Sequence, residues 1–420
     1  MTRAAAPRLL LAAAIVLGAP AVLLCLASYF QGLWLLLPSV LCILVERRLS
    51  LGGPAFGAGI RRVVGHAAIP VVGIVSALLL WAVIMAVTGY DPVSSYGALL
   101  YGGLVKNWYV SVLNATPLIF TGLAIAFAFQ GGLFNIGAEG QYYIGVVAAT
   151  WLGLRLDLPA PLAIPLIYAA GAAMGAALNA VPALLKVKTG AHEVITTMMF
   201  AYAVRTLSPM FIRANGGDPA STTHPGATDQ VAQQVWLPLF KDILPAANYR
   251  LHIGIILAIA CAFLVRFILT RTTLGYKIRA VGHSPQAART AGISVAKITV
   301  ISLLISGTLA AFAGVTQDLG LDHRMFQDLN AGYGWNGISI ALLARNDPIV
   351  IIFTALLWGV LDAGGQYMAR TAQTPNAIIE IIKGVVLFLL LAEALYAKIG
   401  ARIGERLRGR SARGQTGESA

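Results

Sequence analysis

Charge is what this 420-residue chain has least of: 11% of its residues are charged and 58% are hydrophobic, where soluble domains run at about 25% and about 45–50%. That balance excludes an ordinary water-soluble domain and leaves a polytopic helical membrane protein. The three cysteines, Cys25, Cys42 and Cys261, sit singly in apolar runs, which excludes a disulfide framework or a zinc site and leaves packing. No Gly-x-x-x-x-Gly-Lys-Ser/Thr sequence occurs, so the chain has no phosphate-binding loop of that kind. His, Cys and Asp nowhere fall at metal-ligand spacing, and no nucleophile stands beside a positioned base. No catalytic residue, metal or cofactor is therefore expected in this chain. The formal charge of +13 is scattered through short segments between apolar runs, where membrane orientation explains it, so no nucleic acid is expected as a partner.

What the sequence has in plenty is apolar runs. They predict an all-α polytopic membrane protein with about 10–12 transmembrane helices, placed at 8–29, 32–46, 67–89, 112–130, 137–154, 160–185, 192–212, 251–270, 298–318, 334–345, 348–366 and 376–397. The run at 8–29 has the length of a retained anchor rather than a cleaved signal peptide. With the N-terminus inside, 21 Lys and Arg fall on the cytoplasmic side and 7 on the other. Each translocated positive charge opposes insertion, so both termini are expected in the cytoplasm. Tyr90, Tyr96, Tyr101, Trp108 and Tyr109 read as an interfacial aromatic belt. Gly171 and Gly175 form a close helix-packing face. The long outer segment 213–250 either docks a partner or covers the outer mouth. The tail 399–420 is basic, then Gly/Ser-rich, and is expected near anionic membrane lipid.

Residues 131–145, GGLFNIGAEGQYYIG, place glycines and polar side chains between membrane-length apolar runs. Backbone that leaves the helix at membrane depth has to be buried in protein or line a watery cavity, and transporters hold substrate at such breaks. Asn135, Glu139 and Gln141 precede or open a helix starting near Gly137, whose free N–H groups and positive dipole end would face the same cavity. The alternative is that these side chains satisfy one another across a helix contact. A second break at Gly332-Tyr-Gly-Trp-Asn-Gly-Ile-Ser339 carries Trp335 and Asn336. The spans before the two breaks, 122–129 and 307–314, look alike, as internal repeats would. Glu193 in a first helical turn has the helix dipole to stabilise it. Arg205 and Lys383 lie within spans and need a counter-charge or a route to the interface; Glu380 is one turn from Lys383.

The stretch 270–297 is cytoplasmic by the charge count. Ser284-Pro285 offers an N-cap and first-turn proline and Gly292 a stop, which predicts one short helix of Ala and Arg with little core to build. Such a helix is shaped for another protein's groove.

In that order and spacing, Gly132-Leu-Phe-Asn-Ile-Gly-Ala-Glu-Gly-Gln141, His192-Glu-Val-Ile-Thr-Thr-Met-Met199, Leu274-Gly-Tyr-Lys-Ile-Arg-Ala-Val-Gly282, Ala291-Gly-Ile-Ser294 and Gly337-Ile-Ser-Ile-Ala-Leu-Leu343 resemble the permease subunit of ATP-binding-cassette (ABC) importers serving simple sugars, branched-chain amino acids and nucleosides. The first two motifs most resemble the nucleoside branch, whose receptors are lipoproteins of the basic-membrane-protein type. The resemblance covers 67–398 and implies a permease core of two related halves, preceded by an extra hairpin and basic linker at 1–66. It implies a double-cassette cytoplasmic ATPase that binds ATP and Mg, a second and distinct permease, an extracytoplasmic substrate-binding lipoprotein, and residence in a bacterial cytoplasmic (inner) membrane. It also implies a coupling helix carrying Arg279, Gly282, Pro285, Ala287, Ala288 and Gly292. The substrate pathway is expected to involve Asn135, Glu139, Gln141, Trp335 and Asn336. Three features depart from the pattern: the hairpin at 8–46, Ala201 where nucleoside-branch relatives carry Asn, and Ala344-Arg345 in place of Gly-Gly. A sugar or branched-chain amino acid permease is the alternative. From a different class, a self-contained ion-coupled carrier would use Glu139 or Glu193 as a proton shuttle.

Overall fold

The computed structural model of the chain describes residues 89–216, 226–243, 249–327 and 332–373, with a few further positions in 82–86 and 379–388. The expected spans 8–29 and 32–46, most of 67–89 and 376–397, Cys25, Cys42 and the tail 399–420 lie outside the described residues. The order is α1 (Pro92–Leu100), a π-helical turn (Tyr101–Lys106), α2 (Trp108–Gln130), α3 (Ala138–Gly153), α4 (Ala160–Thr189), α5 (Glu193–Ala214), α6 (Gly254–Arg271), α7 (Thr273–His283), α8 (Pro285–Thr290), α9 (Val295–Gln317) continued by a π turn (Asp318–Asp322), α10 (Tyr333–Leu343) and α11 (Pro348–Thr371). Among the described residues extended pairing is limited to two isolated bridges, Ala227 with Phe326 and Leu239 with His252.

Six described helices, α2, α4, α5, α6, α9 with its π turn, and α11, are long and apolar enough to cross a membrane. An apolar run with no water to satisfy its N–H groups has to bond within itself, which is why each folds as a helix. α3 and α10 are shorter. At 1.5 Å per residue they reach about 24 Å and about 16 Å, less than the ~30 Å hydrocarbon thickness. The expected crossing at 334–345 is therefore a half-helix.

The unit Leu100–Gly365 is organised on α9, which packs against α2, α3 and α4. Glycines set the spacing: Gly175 of α4 and Gly307 of α9 each lie against the other's carbonyl, and Gly314 of α9 lies against the Tyr142 carbonyl of α3. Side chains there would hold the backbones apart. The expected face at Gly171 and Gly175 is this contact.

Two related halves are visible in the pairing. α2 leads into the first break and α3, and α9 into the second and α10. α2 packs on α10 while α9 packs on α3; α2 also meets α9, and α3 meets α10. The exchange ties the halves through Ser306 donating to the Ala124 carbonyl at 2.6 Å and Thr121 donating to the Tyr333 carbonyl at 2.9 Å. Cys261 is buried in α6 and free.

The described part of 213–250 lies over the ends of α3 and α9. Ala232 N donates to Gly153 O at 3.1 Å, Val231 N to His323 O at 2.9 Å and Leu237 N to Leu319 O at 2.9 Å. Val231, Val235 and Leu237 are buried with Ala149, Ile167 and Val315, and Trp236 stacks on His323 with ring centroids 3.9 Å apart. Residues 226–243 are thus packed onto these helix ends. Tyr249 joins Trp108 and Tyr109, at 5.2 and 5.0 Å between centroids. In the other unit, drawn from the two ends of the chain, Lys383 pairs with Glu380 at 2.9 Å, as the one-turn spacing predicts.

Candidate functional site

The first break begins where α2 runs out of apolar sequence at Gly131-Gly132. Gly132 takes a positive φ of 72°, and Leu133 N returns to Ala128 O at 3.0 Å, closing the helix as a glycine C-cap does. Five residues after Leu133 the chain re-enters helix at Ala138. Asn135 holds the gap together from a fully buried position. Its Oδ1 accepts from Gly137 N at 3.0 Å and from Gln141 Nε2 at 3.1 Å, while its Nδ2 donates to Gln141 Oε1 and Ser306 Oγ, both at 2.8 Å. Asn135 and Gln141 therefore bond to each other within the break. Ser306 of α9 is a partner that the sequence does not single out, since Thr299, Ser302, Thr308 and Thr316 share its helix.

The second break returns through Gly332, at φ 57°, into α10. Its start meets the start of α3. Glu139 Oε2 accepts from Gly334 N at 2.7 Å, so a carboxylate from one half-helix sits on the exposed N–H groups and positive dipole end of the other. The approach is as close as backbones allow. A Cβ on Gly334 would lie 2.7 Å from the Ala138 carbonyl carbon and closer still to Glu139 N and Cα. Glu139 is 8% exposed and Trp335 is 37% exposed; Asn336 is half-buried and accepts from Trp358 Nε1 at 3.4 Å. Glu139 thus sits on the first turn of α10, whose next residues are Trp335 and Asn336, and the Asn336 amide turns to Trp358. Arg205 of α5 stands one turn beyond Ala201, which packs against Gly140 of α3. Glu193, at the start of α5, is paired with Lys186 at the end of α4, a counter-charge beyond the helix dipole.

The stretch 270–297 folds as its local signals predict. Ser284 Oγ accepts from Ala287 N at 3.3 Å, Pro285 opens α8, and Gly292 takes φ 76° two residues after α8 ends. Pro285 and Ala287 are exposed, Ala288 is buried, Gly292 is exposed and Arg279 is half-buried. Gly282, in the last turn of α7, lies against the Gln130 carbonyl and Gly132. The segment before α8 therefore touches the first break directly.

A family model described as branched-chain amino acid transport system / permease component matches residues 109–391. The chain belongs to this family of permease components. The match spans both breaks and α7–α8. The permease is 35% identical to the guanosine ABC transporter permease protein NupP of Bacillus subtilis (strain 168), over 79% of this chain and 94% of that protein. It is 32% identical to the nucleoside ABC transporter permease protein NupB of Lactococcus lactis subsp. cremoris, over 77% and 90%. To the glucose ABC transporter permease protein TsgB13 of Haloferax volcanii it is 30% identical, over 82% and 92%. No solved structure matches the chain. The permease also has an apolar groove of about 550 Å³ lined by Ile164, Tyr168, Ile256 and Phe312 among others. It lies apart from the breaks, and Tyr168, its hydroxyl-bearing wall, is bonded to Thr316 at 2.7 Å. The junction, and not this groove, carries the polar groups.

Proposed function

We propose that this permease forms one half of the membrane pathway of an ABC importer for a nucleoside or related purine-type solute. The observation that carries the reading is the meeting of two half-helix starts around Glu139, with Trp335 and Asn336 beside them. An aromatic face, a half-buried amide and a carboxylate at membrane depth suit an uncharged solute with a flat base and hydroxyls. Asn135 and Gln141 hold the first break in shape. Relatives named for guanosine and nucleosides support the solute class; the relative named for glucose supports the sugar alternative.

The ATPase is a separate cytoplasmic subunit, which binds ATP and Mg and receives α8. A ligand moves an inward/outward equilibrium only by its difference in affinity for the two states, so directed import needs closure driven from outside this chain. α8 delivers it, with the Gly282–Gly132 contact passing movement to the first break. A second, non-identical permease completes the pathway, a lipoprotein supplies solute from outside, and both termini lie in the cytoplasm of a bacterial cell. Reconstituted with these partners, the permease is expected to take up labelled guanosine only with hydrolysable ATP. Glu139→Gln keeps membrane insertion but changes uptake kinetics. Uptake by this chain alone, driven by a pH gradient and indifferent to ATP, refutes the proposal.

A further inference from the structure

Arg205 stands near the middle of the 22-residue α5. It is exposed, and among the described residues its guanidinium has no hydrogen-bond or ion-pair partner; its backbone carbonyl accepts from Ser208 Oγ at 2.8 Å. A guanidinium at that depth facing hydrocarbon is costly, so it has to face a watery cavity or protein. The packing of α5 says which. Thr197 lies against Gly137, and Ala201 against Gly140, so α5 runs along α3 past the first break. Arg205 follows Ala201 by one turn, on the same side of the helix. No salt bridge joins it to Glu139, one residue before Gly140. The Glu139 carboxylate is committed to Gly334 N instead.

An unpaired fork of five N–H donors and no acceptor beside the pathway of a neutral solute has a use if that solute carries acceptors. Building on the functional reading above, we infer that Arg205 is a specificity residue that reads the acceptor edge of a 6-oxopurine nucleoside. Guanine and hypoxanthine present O6 and N7 as adjacent acceptors, the pair that arginine engages bidentately. Adenine replaces O6 with an amino donor, which opposes a guanidinium N–H. The exposed ring of Trp335 supplies a stacking face for the same base. A sugar has no such planar acceptor pair and would leave the fork half-used.

The test is uptake by the assembled transporter in proteoliposomes, comparing labelled guanosine, inosine and adenosine. The wild type is expected to favour guanosine and inosine over adenosine by about 5- to 150-fold, the range of one good bidentate contact. Arg205→Met removes every donor and brings that ratio to within about twofold of unity. Arg205→Lys, whose ammonium still donates to O6 and N7, keeps part of the preference, which separates a lost contact from a variant that fails to fold. Guanosine and adenosine uptake falling together, with their ratio kept, means a structural arginine and overturns the inference. So does a wild type that carries nucleosides without preferring 6-oxopurines, and that result leaves the nucleoside reading standing. A wild type that carries no nucleoside overturns both.

Discussion

Gly334→Ala tests the contact between the two breaks. The added Cβ would lie 2.7 Å from the Ala138 carbonyl carbon and nearer to Glu139 N and Cα, where carbon atoms need about 3.5–4.0 Å. All three are backbone atoms of α3's first turn and cannot rotate aside, so α10 has to retreat by about 1 Å. Overpacking of this kind costs about 1–3 kcal/mol. The retreat also stretches the 2.7 Å bond from Gly334 N to the Glu139 carboxylate, a charged-group bond contributing about 1.5–3 kcal/mol. The two losses share one displacement, so the expected destabilisation is about 2–4 kcal/mol rather than their sum. The assay is thermal unfolding of the detergent-purified permease, with ATP-dependent uptake measured in parallel. Gly97→Ala is the control: its Cβ would meet nothing within 4 Å, and alanine in place of a helical glycine stabilises by up to about 1 kcal/mol. If Gly334→Ala melts and transports like Gly97→Ala, the half-helices do not meet as described.

Asn135→Leu leaves the Gly137 N–H and the Gln141 amide without their acceptor, at about 1–3 kcal/mol for each orphaned buried group. A lowered melting temperature is expected, and much of the loss should vanish in a Gln141→Leu background because the two residues form one network. A second expectation concerns pH. His252 is 1% exposed and its Nδ1 accepts from Gly254 N at 3.1 Å; burial pushes its imidazole down to about 4. The unfolded chain then binds the proton at about pH 6.5 and the folded one does not. Stability is therefore full above about pH 6.5 and falls as pH drops toward about 4, by at most about 3 kcal/mol from this residue. His323, also lowered to about 4, acts in the same direction. His252→Asn keeps an acceptor for Gly254 N and removes the titration, so its melting temperature should fall less than the wild type's between about pH 7 and about pH 4.5.

Much of this architecture was legible because its signals are local. The cap and stop of α8 follow from Ser284, Pro285 and Gly292, each of which acts within its own turn. The first break follows from Gly131-Gly132 and the start of α3 near Gly137, and the repeat from the likeness of 122–129 and 307–314. What could not be read is what depends on distant partners. Glu139 is held by a backbone N–H 195 positions away, and a backbone donor has no side-chain identity to give it away. Ser306 completes the Asn135 network from α9, again beyond any local pattern. The π turn at Asp318–Asp322 and the seating of residues 226–243 on Gly153, Leu319 and His323 depend on how the helix ends come together. Length separated α10 from a full crossing, and only the return at Gly332 shows where that half-helix starts.

The most direct measurement is a cryo-electron microscopy map of the assembled transporter with a bound nucleoside, at a resolution that shows side chains. The expected map has Glu139 on the Gly334 N–H, both half-helix starts turned to the interior, and ligand density against Trp335. A map with the two starts apart and facing lipid, or with the nucleoside bound elsewhere in the membrane region, contradicts the account.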